Sequence, residues 1–425
     1  MNTFTIGALV LVLGKAAAQL WLNRLNQRHV RQNAGDIPEA FRGMISVESY
    51  HKSVAYTLAR SRLDQVQIGW DTLVLLGVLF SGILPWAEST FRQHYGNSLP
   101  AAAAFLFLVG AALSFTGWPL DWYAQFRIEQ RFGFNNTTPT LWWTDRLKGL
   151  GLGLLLGYPL LLLILIVVWW AGDLWWLWTW GTVLAFETLL LVLAPVLLMP
   201  LFNKFTPLPE GSLRTRLAEL AQRTGFRARC IEVMDGSKRS KHSNAFFTGF
   251  GRFRKIVLFD TLLEQLEETE LAAVLAHEIG HYKKGHIPKM LIVSALSLLG
   301  ACYVLALLAQ AEWFYAAFGF APGSIVVAFL LFGLLAGTVT FWVTPLASLW
   351  SRRFEYQADA FAATAMGEAG SLIGALRKLN EKNLSNLTPH PLYSGFYYSH
   401  PALLEREQAL ARSVADVRQV GAPAQ

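Results

Sequence analysis

The residues best equipped for chemistry are His277-Glu278-Ile279-Gly280-His281. On a helix, four residues turn about 400° and rise about 6 Å, so both imidazoles share one face and can grip one ion. Glu278 projects beside them, where it can take a proton from a water held on that ion. This is the pattern of a catalytic zinc site, which needs a third protein ligand and a position left open for water. His286 is the nearest candidate, but it lies five residues beyond His281. The metzincin spacing requires His at the position of Ile287 and Gly at that of Lys284, so that class is excluded. Glu355, in Phe354-Glu355-Tyr356-Gln357-Ala358-Asp359-Ala360, is the better candidate. Asp359 follows it by one helical turn and can accept the free N–H of a metal-binding His. The plainer alternatives are two histidines on a helix surface and a solvated Glu on a cytoplasmic helix.

The elements that must position these groups are unusual in composition. The 425 residues are 53% apolar and only 15% charged, against about 45–50% and about 25% in soluble domains. The apolar excess falls in runs of about 20 residues, the length that crosses a hydrocarbon core as a helix. Seven segments qualify: Thr5–Leu22, Ile68–Ala87, Ala101–Trp122, Leu150–Trp170, Leu174–Met199, Pro288–Ala311 and Gly323–Trp350. A wholly soluble or disordered chain is excluded. A disulfide scaffold is excluded too, because the two cysteines are Cys230 and Cys302, and Cys302 lies within a span. The first segment competes with a signal peptide, Ala16–Ala18 being small enough for cleavage. It reads as a retained span because no positive charge precedes it, while Arg24 and Arg28 follow it.

Lys and Arg between the spans set the orientation. The connections after spans one, three and five and the C-terminal tail hold 33 of them, against one, Arg92, on the opposite side. By the positive-inside rule the N-terminus is outside, and the residues of the metal motif and the C-terminus are cytoplasmic. This explains the net charge of +7, so no nucleic-acid partner is expected. Trp169, Trp170, Trp175, Trp176, Trp178 and Trp180 flank Gly172–Asp173 as an interfacial belt. Within 201–287, Leu213–Thr224 has helical spacing, Asn244–Phe250 and Ile256–Phe259 read as a β-hairpin turning at Gly251–Arg252, and Glu264–Lys283 is helical. The plainer role of the hairpin is a core packed by Phe246, Phe247 and Phe250. Its edge could also bond a peptide backbone.

The chain resembles the type I CAAX prenyl endopeptidases, integral-membrane zinc proteases related to the yeast a-factor-converting enzyme. The segments that carry the resemblance are Phe126–Phe134, Pro200–Glu210, Asn244–Asp260, Leu275–His286, Arg352–Ala360 and Tyr398–Arg406. They span most of the chain. The resemblance implies a single zinc ion on His277, His281 and Glu355, with Glu278 as general base and Asp359 behind the ligands. It implies His400 and Arg406 at the substrate carbonyl or oxyanion, and Asn244 and Ala245 at the start of a strand that pairs with substrate. Without it, His400 reads as a helix cap and Arg406 as a solvated charge. Ala402 departs from the family, many members having a second Pro there.

The expected fold is therefore mainly α. It is a polytopic membrane protein with seven transmembrane helices around a water-filled chamber and a cytoplasmic α+β, gluzincin-like zinc protease domain. Residues 1–67 hold the first span and a basic connection, 68–200 spans two to five, and 201–287 the protease domain. Residues 288–350 hold spans six and seven, and 351–425 the remainder of the protease domain with the third ligand. The expected partners are the bilayer and a peptide or protein substrate, prenylated in the family's reaction. Lys15, Asp71, Asp121 and Glu187 fall within apolar runs, where a charge marks function or a wet interior. Those charges also permit a transporter, and the hydrolytic site equally permits a protease of damaged membrane proteins. The excess of Arg over Lys and the short ends point to a bacterial inner membrane.

Overall fold

A computed structural model describes residues 3–226, 230–248 and 255–420. Among them seven helices are long and apolar enough to cross a bilayer: Thr3–Gln32, Val47–Phe80, Leu99–Phe132, Pro139–Trp170, Gly172–Leu201, His286–Ala309 and Ile325–Met366. Most are longer than the apolar runs in the sequence. At 1.5 Å per residue, a helix of 34 residues such as Val47–Phe80 rises about 50 Å, well beyond a hydrocarbon core of about 30 Å. The excess continues as polar helix on the basic side. The third, fourth and fifth are interrupted by single π-helical turns at Ala124–Glu129, Gly153–Gly157 and Ala194–Leu198.

The first span packs along the second. Asn23 Oδ1 accepts from Gln27 Nε2 and Ser61 Oγ, each at 2.9 Å, in a buried polar cluster between the two helices. The second span ends earlier than its apolar run suggests. Val47–Phe80 stops at Ser81, Gly82 turns with φ +80°, and Ile83–Tyr95 is a separate helix. Only glycine enters that left-handed region without steric cost. Within the spans, Asp121 is paired with Arg146 at 2.7 Å.

The soluble part is α+β, with a larger sheet than the expected hairpin. Four strands, β1 (Phe205–Pro207), β2 (Cys230–Met234), β3 (Ala245–Thr248) and β4 (Lys255–Phe259), lie in the order β1-β2-β4-β3. β3 and β4 pair antiparallel as expected, with Ala245 opposite Leu258, and β2 pairs parallel to β4. The expected turn at Gly251–Arg252, with Phe250, lies outside the described residues. β1 and β2 had no signal because they are short and, in β2, only half-buried.

The expected helix Glu264–Lys283 is two helices, Asp260–Gln265 and Glu268–Lys283. A capping box divides them. Glu267 accepts from the N–H of Glu270, and Glu270 Oε2 accepts from the N–H of Glu267 at 2.9 Å. One hydrophobic core joins the two segments outside the spans, with Leu217, Leu271, Leu275 and Ile279 from the first and Ala362, Leu372, Leu376 and Leu403 from the second. Phe41, Ile45 and Tyr50, from the connection after span one, complete it.

Helix Glu268–Lys283 lies directly against helix Thr344–Met366. The approach is closest at Gly280, where an added Cβ would stand 3.0 Å from Ala358 Cα and O and 3.2 Å from Phe361 Cβ. None of these atoms can rotate away. Gly280→Ala gains about 1 kcal/mol of helix propensity, but overpacking of this kind costs about 1–3 kcal/mol. The expected outcome is a lower thermal midpoint for the purified variant; an unchanged or higher midpoint would show that the helices have room to spare.

Candidate metal centre

That close approach brings the dispersed residues together. His277 and His281, one turn apart, direct their Nε2 atoms at one point, 3.1 Å from each other. Glu355, buried on the facing helix, closes the third side, with Oε2 3.5 Å from His277 Nε2 and Oε1 3.3 Å from His281 Nε2. Among the described residues these three form the group able to hold a metal ion, all donor atoms lying within 4.8 Å of one another. Donors placed tetrahedrally at 2.0–2.1 Å from an ion are about 3.3–3.4 Å apart; the two nitrogens stand 3.1 Å apart, and each has one of the two carboxylate oxygens at 3.3–3.5 Å. Glu355 Oε2 is buried without an aligned hydrogen bond, although His400 Nδ1 comes within 2.7 Å. A buried carboxylate whose two oxygens each face the Nε2 of one histidine fits a cation.

Behind the ligands stands a second layer of polar groups. His277 Nδ1 donates to Asp359 Oδ1 at 2.8 Å, which leaves Nε2 as the coordinating atom. Arg406 is itself buried and grips Asp359 with both arms, Nε to Oδ2 at 2.8 Å and Nη2 to Oδ1 at 2.6 Å. Of the pair expected at the carbonyl, His400 is the accessible one, its side chain 66% exposed. Arg406 is turned toward Asp359, with Nη1 3.7 Å from Glu355 Oε2. His286 lies on the far side of the His281 ring, its Nδ1 3.0 Å from His281 Nδ1. It is thus Glu355, and not His286, that faces the histidine pair.

Glu278 projects from the same helix without being part of the triad, and it is half-buried. Burial raises its pKa, and the neighbouring His277 and His281 pull only part of the way back. A carboxylate moved toward neutrality is suited to accepting and returning a proton.

β3 is the edge strand on this side of the sheet. The carbonyl of Asn244 accepts from Phe259 N–H at 3.1 Å, so the next residue, Ala245, turns its main-chain groups to the opposite edge. The N–H of Ala245 meets Asn244 Oδ1 at 2.9 Å. The start of the strand is tied down by a network the sequence did not show. Asn383 Oδ1 accepts from Ser243 N–H at 3.2 Å and faces His242 Nδ1 at 3.2 Å. His242 Nε2 lies 3.2 Å from Glu129 Oε2, and Tyr56 O–H donates to Glu129 Oε1 at 2.8 Å. The segment Phe126–Phe134 therefore has a physical role: its Glu129 links spans two and three to the edge strand.

Seven spans feeding a histidine–carboxylate site at a membrane surface define a membrane-embedded metalloprotease. Residues 26–204 match the family profile described as CAAX prenyl protease N-terminal, five membrane helices, and residues 207–414 match Peptidase family M48. The chain belongs to peptidase family M48. It is 37% identical to the CAAX prenyl protease 1 of Saccharomyces cerevisiae, with 88% of each chain covered. It is 35% identical to a CAAX prenyl protease 1 homolog of Oryza sativa, covering 88% of this chain and 90% of that one. The crystal structure of S. mikatae Ste24p superimposes with a TM-score of 0.89 at 32% identity, over 96% of this chain and 99% of that one. The protein is thus an integral, multi-pass membrane protein that acts on a peptide or protein substrate with a metal cofactor. The transporter alternative finds no support in these comparisons. Nor does the expected bacterial inner membrane, since these relatives are eukaryotic.

Two outcomes follow from the charge layout. In the metal-free protein burial pushes His277 down, but hydrogen bonds with Asp359 and Glu355 outweigh it and raise its pKa to about 9. The proton competes with the metal, so binding is weaker at low pH and strengthens as pH rises. Between pH 7 and 9 apparent metal affinity should rise about tenfold per pH unit for the one proton displaced; a flat profile over that range contradicts this. Arg406→Met removes the guanidinium that meets both Asp359 oxygens and leaves His277 as the carboxylate's remaining charged neighbour, at a cost of up to about 3–5 kcal/mol. The thermal midpoint should fall accordingly, and a fall within error of zero would show the pair to be dispensable.

Proposed function

We propose that this protein is a zinc endopeptidase of the CAAX-processing type, cleaving near the C-terminus of peptides delivered from the membrane, prenylated ones included. The observation that carries the reading is the convergence of His277 Nε2, His281 Nε2 and Glu355 at tetrahedral separations, with Glu278 beside them. Two nitrogens and one carboxylate oxygen suit zinc in a hydrolytic site. When bound, zinc supplies Lewis acidity, polarising the scissile carbonyl and making water a nucleophile near neutral pH.

The chain's own groups do the rest. Glu278 accepts the proton of the attacking water and returns it to the leaving amine. His400, exposed at the rim, donates to the oxygen on which negative charge builds. Arg406 holds Asp359, and Asp359 holds the His277 ring. Ala245 turns its main-chain groups to the outer edge of β3, where a substrate backbone pairs as an added strand and displaces the Asn244 side chain from the Ala245 N–H. A cleft of about 430 Å³ beside His400, lined by Asn386, Tyr398 and Arg406, offers room for substrate side chains.

The 33-to-1 distribution of basic residues supports placing this site, and the protease domain built from 201–287 and 351–425, on the cytoplasmic face. The spans bury only 6–33% of their most apolar windows against the rest of the protein. The remaining side chains face lipid or an interior space, which leaves room for the chamber that the family resemblance implies. Recognition through main-chain edge bonds also favours a broader reading, in which misfolded membrane proteins are substrates, because it makes few demands on sequence.

Glu278→Gln tests the mechanism. The variant should bind zinc with wild-type stoichiometry and cleave a prenylated peptide about 10²–10⁴-fold more slowly; wild-type turnover refutes the role. Product mapping by mass spectrometry with matched prenylated and unprenylated peptides separates the two substrate readings. Cleavage confined to the prenylated peptide supports CAAX-type processing, and equal cleavage supports the broader one.

A further inference from the structure

His286 stands out as a buried group that the mechanism leaves unused. It is 1% exposed and stacks on Phe354, with ring centroids 4.0 Å apart and planes at 9°. Gly285, at φ +65°, separates helix Glu268–Lys283 from helix His286–Ala309. The turn places the first residue of the new helix back against the last turns of the old one. His286 Nδ1 is then 3.0 Å from His281 Nδ1, and His286 Nε2 is 2.9 Å from Gln357 Oε1.

Two ring nitrogens at that distance must divide the roles, one donating and one accepting. The direction is set by chemistry at the other side of the ring. His281 turns Nε2 toward His277 and Glu355, and a coordinating nitrogen must carry a lone pair. The single proton of neutral His281 therefore sits on Nδ1 and is donated to His286 Nδ1. His286 in turn carries its proton on Nε2, which is donated to the carbonyl oxygen of Gln357. The reverse polarity would place a proton on His281 Nε2, among the ligands, and would require the Gln357 amide to be turned over.

We infer that His286, anchored by Gln357, is a positioning residue that fixes His281 in its metal-binding tautomer and ring orientation. It does for His281 what Asp359 does for His277. The two supports differ in charge. Asp359 is neutralised by Arg406, and His286 contributes none when neutral. The backing of the site therefore adds no net negative charge, and a bound dication keeps its Lewis acidity. This inference rests on ligation by His281 Nε2, as proposed above.

The test is zinc affinity of the full-length protein, measured by chelator competition, together with the visible spectrum of the cobalt-substituted form. His286→Phe keeps a ring on Phe354 and removes the acceptor. Its zinc dissociation constant should rise about 10–100-fold, with a changed cobalt spectrum. His286→Asn places a carbonyl oxygen near the Nδ1 position and should recover most of that loss. Gln357→Leu, at the exposed end of the chain of hydrogen bonds, should weaken zinc in the same direction by a smaller factor, and it keeps the test open if the buried Phe variant does not fold. Wild-type affinity in the Phe variant overturns the role of His286, as does an Asn variant as weak as a folded Phe variant, or wild-type affinity in Gln357→Leu. Wild-type protein that binds no zinc overturns the metal reading itself.

Discussion

The contact between Gly280 and Ala358 governs the rest of the site. Three lone-pair donors must meet within about 3.3 Å, and they come from two helices separated by some 70 residues of chain. An ordinary helix pair keeps its axes 8–10 Å apart according to the side chains at the contact. Here glycine meets alanine at backbone distance, and that approach lets the short Glu355 carboxylate reach both imidazoles. A side chain at Gly280 would push the helices apart by about a few tenths of an ångström, enough to disturb a coordination sphere whose tolerance is about 0.2 Å.

Both helices are also mechanically tied to the membrane. Thr344–Met366 continues the seventh span beyond its apolar part, and Glu268–Lys283 is joined to the sixth through Lys284 and Gly285. The proposed ligands thus ride on the ends of two spans, with no long linker between bilayer and chemistry. The edge strand is fixed to the second and third spans through His242 and Glu129. A peptide held at the bilayer surface therefore meets a site whose position relative to that surface is set by continuous helix and short polar bridges. Each proposed imidazole ligand is supported from behind, His277 by Asp359 and His281 by His286, so ring orientation does not depend on the ion.

Much of this was legible in the sequence because the signals are local. The seven apolar runs and His277-Glu278-Ile279-Gly280-His281 each lie within a window shorter than about 30 residues, and the basic asymmetry needs only a count between those runs. Glu355 and Asp359 were legible as a repeated acidic face, although their meeting with the histidines came from the resemblance and not from spacing. Contacts at long range left no such trace. Nothing about Glu129 or Asn383 alone announces a partner at His242, more than 100 residues from either. β1 and β2 are too short for an alternating pattern to accumulate. Gly280 did carry a signal: a glycine in a helix interior costs about 1 kcal/mol against alanine, and its retention between two candidate ligands points to a close neighbour. The division at Glu267 could also have been read, from the Glu267–Glu270 spacing.

The central claim is that two imidazoles and one carboxylate converge on a single zinc ion. X-ray absorption at the zinc edge of the purified protein examines that most directly. The account predicts one zinc per chain with two imidazole nitrogens and oxygen neighbours at about 2.0–2.1 Å. A third imidazole in the shell, a sulfur neighbour at about 2.3 Å, or no zinc at all would contradict it.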